Sequence, residues 1–277
     1  MKHIWTMAGV TFHEAARKQI LWMALLAGAA FLLLFGTALH FQIEAFHDGH
    51  VRPFIQKQVL SGMLMMGLYA IDLLVVVMTV LTSVDTLSGE IASGTIQAMA
   101  TKPVRRWELL TGKWLGFSAM LTLYIMMMVF GINGLTYLMT GVTARHLPQG
   151  LGLIWLESML LLSVCFFFGT SFSTLTNGVL VLGLHGLAFL GGWIEQAGAL
   201  TNTPKAVAVG VVASMMMPSE SLWRRAAFEM QSPLATAVNM SPFSGASVPS
   251  PMMIGYAALY MAVFFVLAIR RLSNRDL

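Results

Sequence analysis

Three histidines and one glutamate follow the first long apolar stretch at spacings of four, three and three residues. A helix continued through them would present all four on roughly one face, because residues three and four apart share one side of an α-helix. Their nitrogen and oxygen atoms are ligands that suit zinc or copper. Chance clustering in a polar loop explains the same pattern and we favour it, so we predict no metal site on this chain. The residues concerned are His40, Glu44, His47 and His50.

A second group of polar residues lies inside stretches that are otherwise apolar. Asp72 is well inside its stretch, where a carboxylate in a membrane costs about 2.5–3.5 kcal/mol. We therefore expect Asp72 to face a partner or a water-filled cavity, and the alternative is a structural hydrogen bond. Asn133, Glu157 and His185 are weaker candidates of the same kind, for which local hydrogen bonding between helices is the favoured role.

The sequence contains no motif that would make this chain an enzyme by itself. His13 and Glu14 begin a zinc-protease pattern, but Arg17 stands where the second histidine must be. Gly112 and Lys113 lack both the earlier glycine and the following hydroxyl residue of a phosphate-binding loop. No serine, histidine and aspartate arrangement is recognisable from spacing. We therefore expect this chain to bind no cofactor.

The composition indicates that most of the chain contacts lipid rather than water. Hydrophobic residues make up 57% and charged residues only 10% of the 277, against roughly 25% charged residues in soluble domains. Each crossing needs about 20 apolar residues, and continuous apolar runs favour helices over the alternating strands of a barrel. We predict an all-α, polytopic membrane protein with six transmembrane helices. The predicted spans are about 20–40, 61–82, 114–139, 153–174, 178–197 and 252–269.

Basic residues predict the orientation in the membrane. With the N-terminus in the cytoplasm, ten of the 16 lysines and arginines lie on the inside and six lie outside, as the positive-inside rule requires. Both termini are therefore predicted to be cytoplasmic, and the location is the cell inner membrane. The positive charge then belongs to cytoplasmic loops, so we expect no nucleic-acid partner. We expect no cleaved signal peptide, because the first apolar run begins only near Ile20.

Two segments outside the spans are expected to form helices of their own. Residues 1–19 are predicted to be an amphipathic helix on the inner membrane surface, with a plain positive flank of the first span as the alternative. The external loop 198–251 is predicted to hold a short helix over 206–217 on the outer surface, because 12 residues are too few to span. A second, amphipathic helix is predicted over about 219–230 at the membrane interface, with Ser219 as its N-cap.

The most distinctive stretch is the cytoplasmic segment 83–113 between the second and third spans. It combines an acidic residue, a Gly-Thr break, a proline that can begin a helix at its first turn, and basic residues next to a tryptophan. We predict two short helices that meet at a corner. The residues that carry this pattern are Glu90, Gly94, Thr95, Pro103, Arg105, Arg106, Trp107, Gly112 and Lys113.

This pattern, the six-span layout and the large external loop together resemble the ABC-2-type transporter permease family. Within that family the chain is similar to the small permeases of nitrous-oxide-reductase maturation and gliding-motility systems. The resemblance implies one transmembrane permease domain over residues 1–277, with the ABC-2 (type V exporter-like) permease fold. It also implies that segment 83–113 is a coupling segment, which docks on a separate cytosolic ABC ATPase. That ATPase would bind the ATP and the magnesium.

The resemblance also assigns roles to individual residues. The coupling segment would dock through Glu90, Gly94, Thr95, Pro103, Arg105, Arg106 and Trp107. Arg105 and Arg106 would pair with acidic residues of the ATPase; a purely topological role is the alternative, and the two can coexist. The turn 174–178 would form a second, smaller contact. Asp72 would lie on the translocation path or at the dimer interface, or else hold a structural hydrogen bond.

The expected function is export of a substrate by a pair of permease subunits driven by an ATPase dimer. Six spans give half of a pathway, so we expect a second permease copy, most simply in a homodimer. The alternative is mechanotransmission, in which the ATP-driven movement reaches a periplasmic partner through loop 198–251 and no substrate crosses. A membrane-embedded enzyme is disfavoured, because no catalytic set converges.

Overall fold

The described part of the chain consists mainly of α-helices. The computed structural model describes residues 2–17, 19–49, 51–92, 105–232 and 247–274, and no β-strand occurs in these ranges. The predicted all-α fold is therefore confirmed. The helices of the described ranges are α1 (Lys2–Arg17), α2 (Gln19–Asp48), α3 (Pro53–Ala92), α4 (Arg106–Thr140), α5 (Leu147–Gly169), α6 (Thr174–Leu200), α7 (Pro204–Met216), α8 (Ser219–Met230) and α9 (Met252–Ser273).

In the described part of the chain, six helices are long and apolar enough to cross a membrane: α2 to α6, and α9. This confirms the predicted number of spans. We name the end of the bundle where α3 ends and α4 begins the cytoplasmic side, following the predicted orientation. Helix α3 has 40 residues and so extends about 60 Å, twice the roughly 30 Å of the hydrocarbon core. It therefore projects well beyond the predicted span 61–82.

Helix α5 lies at the centre of the bundle. Its most apolar window is 67% buried, whereas those of α2 and α9 are only 6% and 11% buried. The indole of Trp155 donates to Thr122 Oγ1 at 2.9 Å, and that of Trp114 donates to Ser163 Oγ at 3.1 Å. Both bonds join α5 to α4. They matter because the hydrocarbon of a membrane contains no acceptor for an indole N–H.

Helix α1 lies against the cytoplasmic half of α4 at two glycines. A Cβ atom at Gly112 would come within 2.6 Å of Met7 Cβ, and one at Gly116 within 2.8 Å of the Ala8 carbonyl oxygen. Ala8 and Thr11 are buried in this contact. Small residues let two helices approach this closely, which gives Gly112 of the sequence pattern a structural reason.

Helix α7 turns back along α6 instead of leaving the bundle. Gly198 of α6 faces Ala206 near the start of α7, and Gly191 faces Ala213 near its end. Gly210 of α7 packs against Glu195 of α6. The pairs run in opposite directions along the two helices, so α7 is antiparallel to α6 and returns toward the middle of the bundle.

The inner end of α7 is held by the last span. The hydroxyl of Tyr256 donates to the Met215 carbonyl oxygen at 2.6 Å, and that of Tyr260 donates to the Met216 carbonyl oxygen at 2.8 Å. The last carbonyl groups of a helix lack partners within that helix. The two tyrosines therefore supply partners to the last carbonyl groups of α7 where it ends beside α9.

Helix α8 follows α7 after a bend of 108°, and the two form the α7–α8 hairpin. Leu222, Trp223 and Ala226 of α8 are buried, so the expected position on the surface of the membrane was wrong. The N-cap is Pro218, and Ser219 is the first helical residue rather than the cap. A bend directed into the bundle accounts for both differences.

We predict that Gly116→Val loosens the contact between α1 and α4. The added methyl groups would overlap the α1 backbone, and overpacking of this kind costs about 1–3 kcal/mol. Thermal unfolding in detergent measures the effect. The control is Gly134→Val on the same helix, where a Cβ atom meets nothing within 4 Å. Equal melting temperatures for the two variants would contradict the packing described.

Candidate functional site

Four ionisable side chains from four helices meet in the interior of the bundle. We call this group, formed by Asp72 of α3, Glu157 of α5, His185 of α6 and Glu220 of α8, the polar cluster. Their exposed fractions lie between 1% and 6%. Asp72 is at the middle of the long helix α3, so the cluster lies deep in the bundle and far from either end.

The cluster is held together by short contacts between side chains. His185 Nδ1 lies 2.9 Å from Ser219 Oγ and 4.0 Å from Glu157 Oε1. Among the described residues, Asp72 Oδ1 and both carboxyl oxygens of Glu157 are buried without a hydrogen-bond partner. Asp72, Glu157 and His185 were each selected from the sequence, and the structure brings them into one site.

The hairpin brings Ser219 and Glu220 to this depth. The 108° bend falls immediately before them, so the first turn of α8 points at α6. Gly192 of α6 leaves room there, because a Cβ atom at that position would lie 2.9 Å from Glu220 Cγ. A side chain at position 192 would therefore crowd Glu220.

A buried ion pair lies beside the cluster. Arg224 Nη2 donates to Glu195 Oε2 at 2.9 Å and to Ser214 Oγ at 3.2 Å. Ser247 Oγ donates to the other carboxylate oxygen of Glu195 at 2.5 Å. These bonds join α6, α7, α8 and the segment that precedes α9. The charge of Arg224 is therefore matched by Glu195.

The three carboxyl groups of the cluster have no cation of their own among the described residues. Arg224 is one turn beyond Glu220, but it contacts Glu195. Burial raises the pKa of Glu220 well above its usual value; the nearby Asp72 raises it further, and Arg224 opposes the rise. The site is an enclosed region of excess negative potential, suited to holding protons or meeting a cation.

Asn133 lies outside the cluster. Its Nδ2 donates to the Val129 carbonyl oxygen at 2.9 Å, and its Oδ1 accepts from the Ala144 backbone N–H at 3.1 Å. It therefore fastens the connection between α4 and α5 by bonds to its own helix and to that connection, and not by the bond between two helices that was favoured from the sequence.

Sequence reasoning missed several members of this region. Glu195 carries the same signal as Asp72, a carboxylate inside a predicted span, and was identifiable from it. Glu220 and Arg224 were assigned to an external helix, so their spacing of four residues was not interpreted as one buried face. Ser219 was interpreted as a cap, whereas its hydroxyl contacts His185.

Part of the coupling segment lies outside the described residues, including Gly94, Thr95 and Pro103. The helical backbone of α3 continues through Glu90 to Ala92. The predicted corner between two short helices also falls outside the described ranges.

Three predicted docking residues stand at the start of α4. Arg105 is exposed, and its backbone N–H donates to Glu108 Oε2 at 3.3 Å. Trp107 is 40% exposed. The guanidinium of Arg106 instead donates to the carbonyl oxygens of Leu272 and Ser273 at 3.1 and 3.3 Å, and so holds the end of α9. Arg105 and Trp107 thus present the accessible surface.

The turn between α5 and α6 is bonded to the cytoplasmic part of α3. Thr174 Oγ1 donates to Asp85 Oδ1 at 3.0 Å and lies 2.9 Å from Ser88 Oγ. Asn177 Nδ2 donates to the carbonyl oxygens of Val84 and Cys165 at 3.2 and 3.0 Å. The first turn of α6 must therefore follow any movement of the end of α3.

The histidines after the first span are not gathered into a metal site in the described residues, where no three potential ligands are placed so that they could hold one ion. His40 Nε2 lies 3.4 Å from Glu44 Oε1, with both side chains about 60% exposed. His47 Nδ1 contacts the Ile43 carbonyl oxygen at 2.8 Å. His50 lies outside the described ranges.

The fold and the site define a polytopic α-helical membrane protein with ionisable groups enclosed at the centre of its bundle. In a comparison with known protein families, residues 5–277 match the family described as ABC-2 family transporter protein. The chain therefore belongs to the ABC-2 transporter family, as its resemblance indicated. Proteins of this family are the membrane subunits of ABC transporters, generally without catalytic activity of their own, and associate with an ABC ATPase subunit. No curated protein matches the chain.

We predict that Arg224→Met destabilises the fold by about 3–5 kcal/mol, because it leaves the Glu195 carboxylate buried without a cation. The double variant Glu195→Gln/Arg224→Met should recover most of this loss, since it removes both charges. Unfolding in detergent measures both values. Arg225→Met on the same helix is the control, because its pair with Glu229 is about 20% exposed and is worth less. If the double variant lost as much stability as the sum of the losses from Glu195→Gln and Arg224→Met alone, the two residues would not act as a buried pair.

Proposed function

We propose that this chain is the permease subunit of an exporter, which works with a separate cytosolic ABC ATPase to move a substrate outward across the cell inner membrane. The observation that carries the proposal is the continuity of α3. One uninterrupted helix runs from the coupling segment to Asp72 of the polar cluster and on to the opposite end of the bundle.

The length of α3 makes it a lever between the two sites. Twenty residues separate Asp72 from Ala92, which corresponds to about 30 Å of helix. A rigid helix transmits displacement at its end, whereas a loop would absorb it. The bonds from Asp85 and Ser88 to Thr174 pass the same displacement to α6. Helices α3 and α6 both supply residues to the cluster, so movement of the coupling segment alters its geometry.

The ATPase supplies the energy in this mechanism. ATP and magnesium bind to the ATPase dimer, and closure of that dimer displaces the coupling segments of two permease copies. A homodimer is the simplest arrangement, because each copy then meets one ATPase subunit and contributes one half of the pathway. Asp72 acts from the wall of that pathway or from the dimer interface.

The attachment of the outer segment favours mechanotransmission as a second candidate. The Arg145 backbone N–H donates to the Met230 carbonyl oxygen at 3.0 Å, and Arg225 Nη1 donates to the Pro249 carbonyl oxygen at 3.4 Å. Ser247 is bonded to Glu195. Both flanks of 233–246 are thus fixed to the hairpin region, and movement of the hairpin would reach a periplasmic partner bound there.

We predict that Arg105→Glu reduces the ATPase recovered with the tagged permease about tenfold, as the loss of about 1.4 kcal/mol of docking energy would. Arg105 is chosen over Arg106 because Arg106 also holds the end of α9. The control is Lys57→Glu, the same charge reversal near the other end of α3. Unchanged recovery with Arg105→Glu, or an equal loss with Lys57→Glu, would count against the docking role.

A further inference from the structure

The polar cluster contains more buried negative groups than buried positive ones. Asp72, Glu157 and Glu220 face one another, while Arg224 is bonded to Glu195. An ionised carboxylate without a partner in such a place costs several kcal/mol, and three together cost more because they repel. The cluster is stable only if it takes up positive charge.

The lack of hydrogen-bond donors points to protons as the missing charge. Among the described residues, Asp72 Oδ1 and both carboxyl oxygens of Glu157 are buried without a hydrogen-bond partner. An ionised carboxylate so placed would be uncompensated, whereas a protonated carboxyl group carries no charge. His185 Nε2 is also buried without a partner. In the described ranges, no three potential metal ligands are placed so that they could hold one ion, so the arrangement favours a proton over a metal cation.

We propose that the polar cluster is a proton-binding site, and that its protons hold the α7–α8 hairpin in the docked position. Glu220 and Ser219 belong to the hairpin, whereas Asp72, Glu157 and His185 belong to three spans. Undocking of the hairpin separates these two sets and admits water, which favours ionised carboxylates. Loss of the protons therefore favours undocking, and their uptake favours docking.

Four of the described helices contribute charged or titratable side chains to the cluster and its surroundings. The titratable and charged side chains that face it among the described residues are Tyr69 and Asp72 from α3, Glu157 from α5, His185 and Glu195 from α6, and Glu220 and Arg224 from α8. Proton binding by the polar cluster is a property of this chain alone and is separate from export. It can therefore be tested without nucleotide or substrate.

The test measures exposure of α8 as a function of pH. Cys165 is the one native cysteine, so Cys165→Ala gives a background in which Ser221→Cys, a buried position on α8, is labelled by a water-soluble thiol reagent. The labelling rate is divided by that of Lys205→Cys, an exposed position at the start of α7, to remove the intrinsic pH dependence of thiols. The permease is held in lipid nanodiscs.

We expect the normalised rate to rise with pH, by about tenfold per pH unit over the range in which one linked proton is lost. Glu157→Gln removes a proton site at nearly constant shape and should flatten this rise, and Glu220→Gln provides an independent second variant. Glu44→Gln, outside the cluster, should keep the wild-type profile.

Three results would overturn the proposal. The first is a profile that is identical in the wild type and in both cluster variants. The second is a Ser221→Cys thiol that remains protected at every pH. The third is a response to sodium at constant pH, which would make the ligand a metal cation. Failure of the ATPase to bind would affect the proposed function and leave this experiment unchanged.

Discussion

The hydrocarbon of a membrane cannot solvate an ionised carboxylate, and this constraint explains most of the unusual features of the structure. Each buried acid must meet a cation, a proton or water. Glu195 meets Arg224. Asp72, Glu157 and Glu220 lie near one another and near His185. Their three carboxylates would repel one another if all were ionised, so the cluster must hold protons. Apolar side chains would fill the same space at a lower cost than buried carboxyl groups. We therefore infer that the polar cluster has a functional role and not only a packing role.

The hairpin is the element on which this site depends. Helix α7 reaches the middle of the bundle because glycines at 191, 198 and 210 allow contact between its backbone and α6. Its end is tolerated there because Tyr256 and Tyr260 satisfy its last carbonyl groups. Helix α3 then connects the same site to the coupling segment. In the proposed mechanism, the cluster would receive displacement from one side of the membrane and change the position of an element attached to the other.

Hydropathy predicted the spans because each helix needs about 20 mostly apolar residues to cross the hydrocarbon core. Runs of that length are visible in the sequence itself. Asp72, Glu157 and His185 were found for the same reason, as polar exceptions within apolar runs. The hairpin could not be found in this way. The apolar run 206–217 is too short to span, and its depth is set by glycine contacts with α6, which are tertiary. Glu220 and Arg224 were therefore assigned to an external helix, although Glu220 lies near Asp72 and Arg224 is paired with Glu195.

The central claim is that the polar cluster and the coupling segment act as one unit through α3. The most direct measurement is the ATP hydrolysis rate of the assembled transporter with Asp72→Asn, compared with the wild type and with Glu44→Gln at equal amounts of bound ATPase. The account predicts that Asp72→Asn changes the rate several-fold while the bound ATPase is unchanged and Glu44→Gln has no effect. A wild-type rate in the Asp72→Asn transporter would contradict it and would return Asp72 to a structural role.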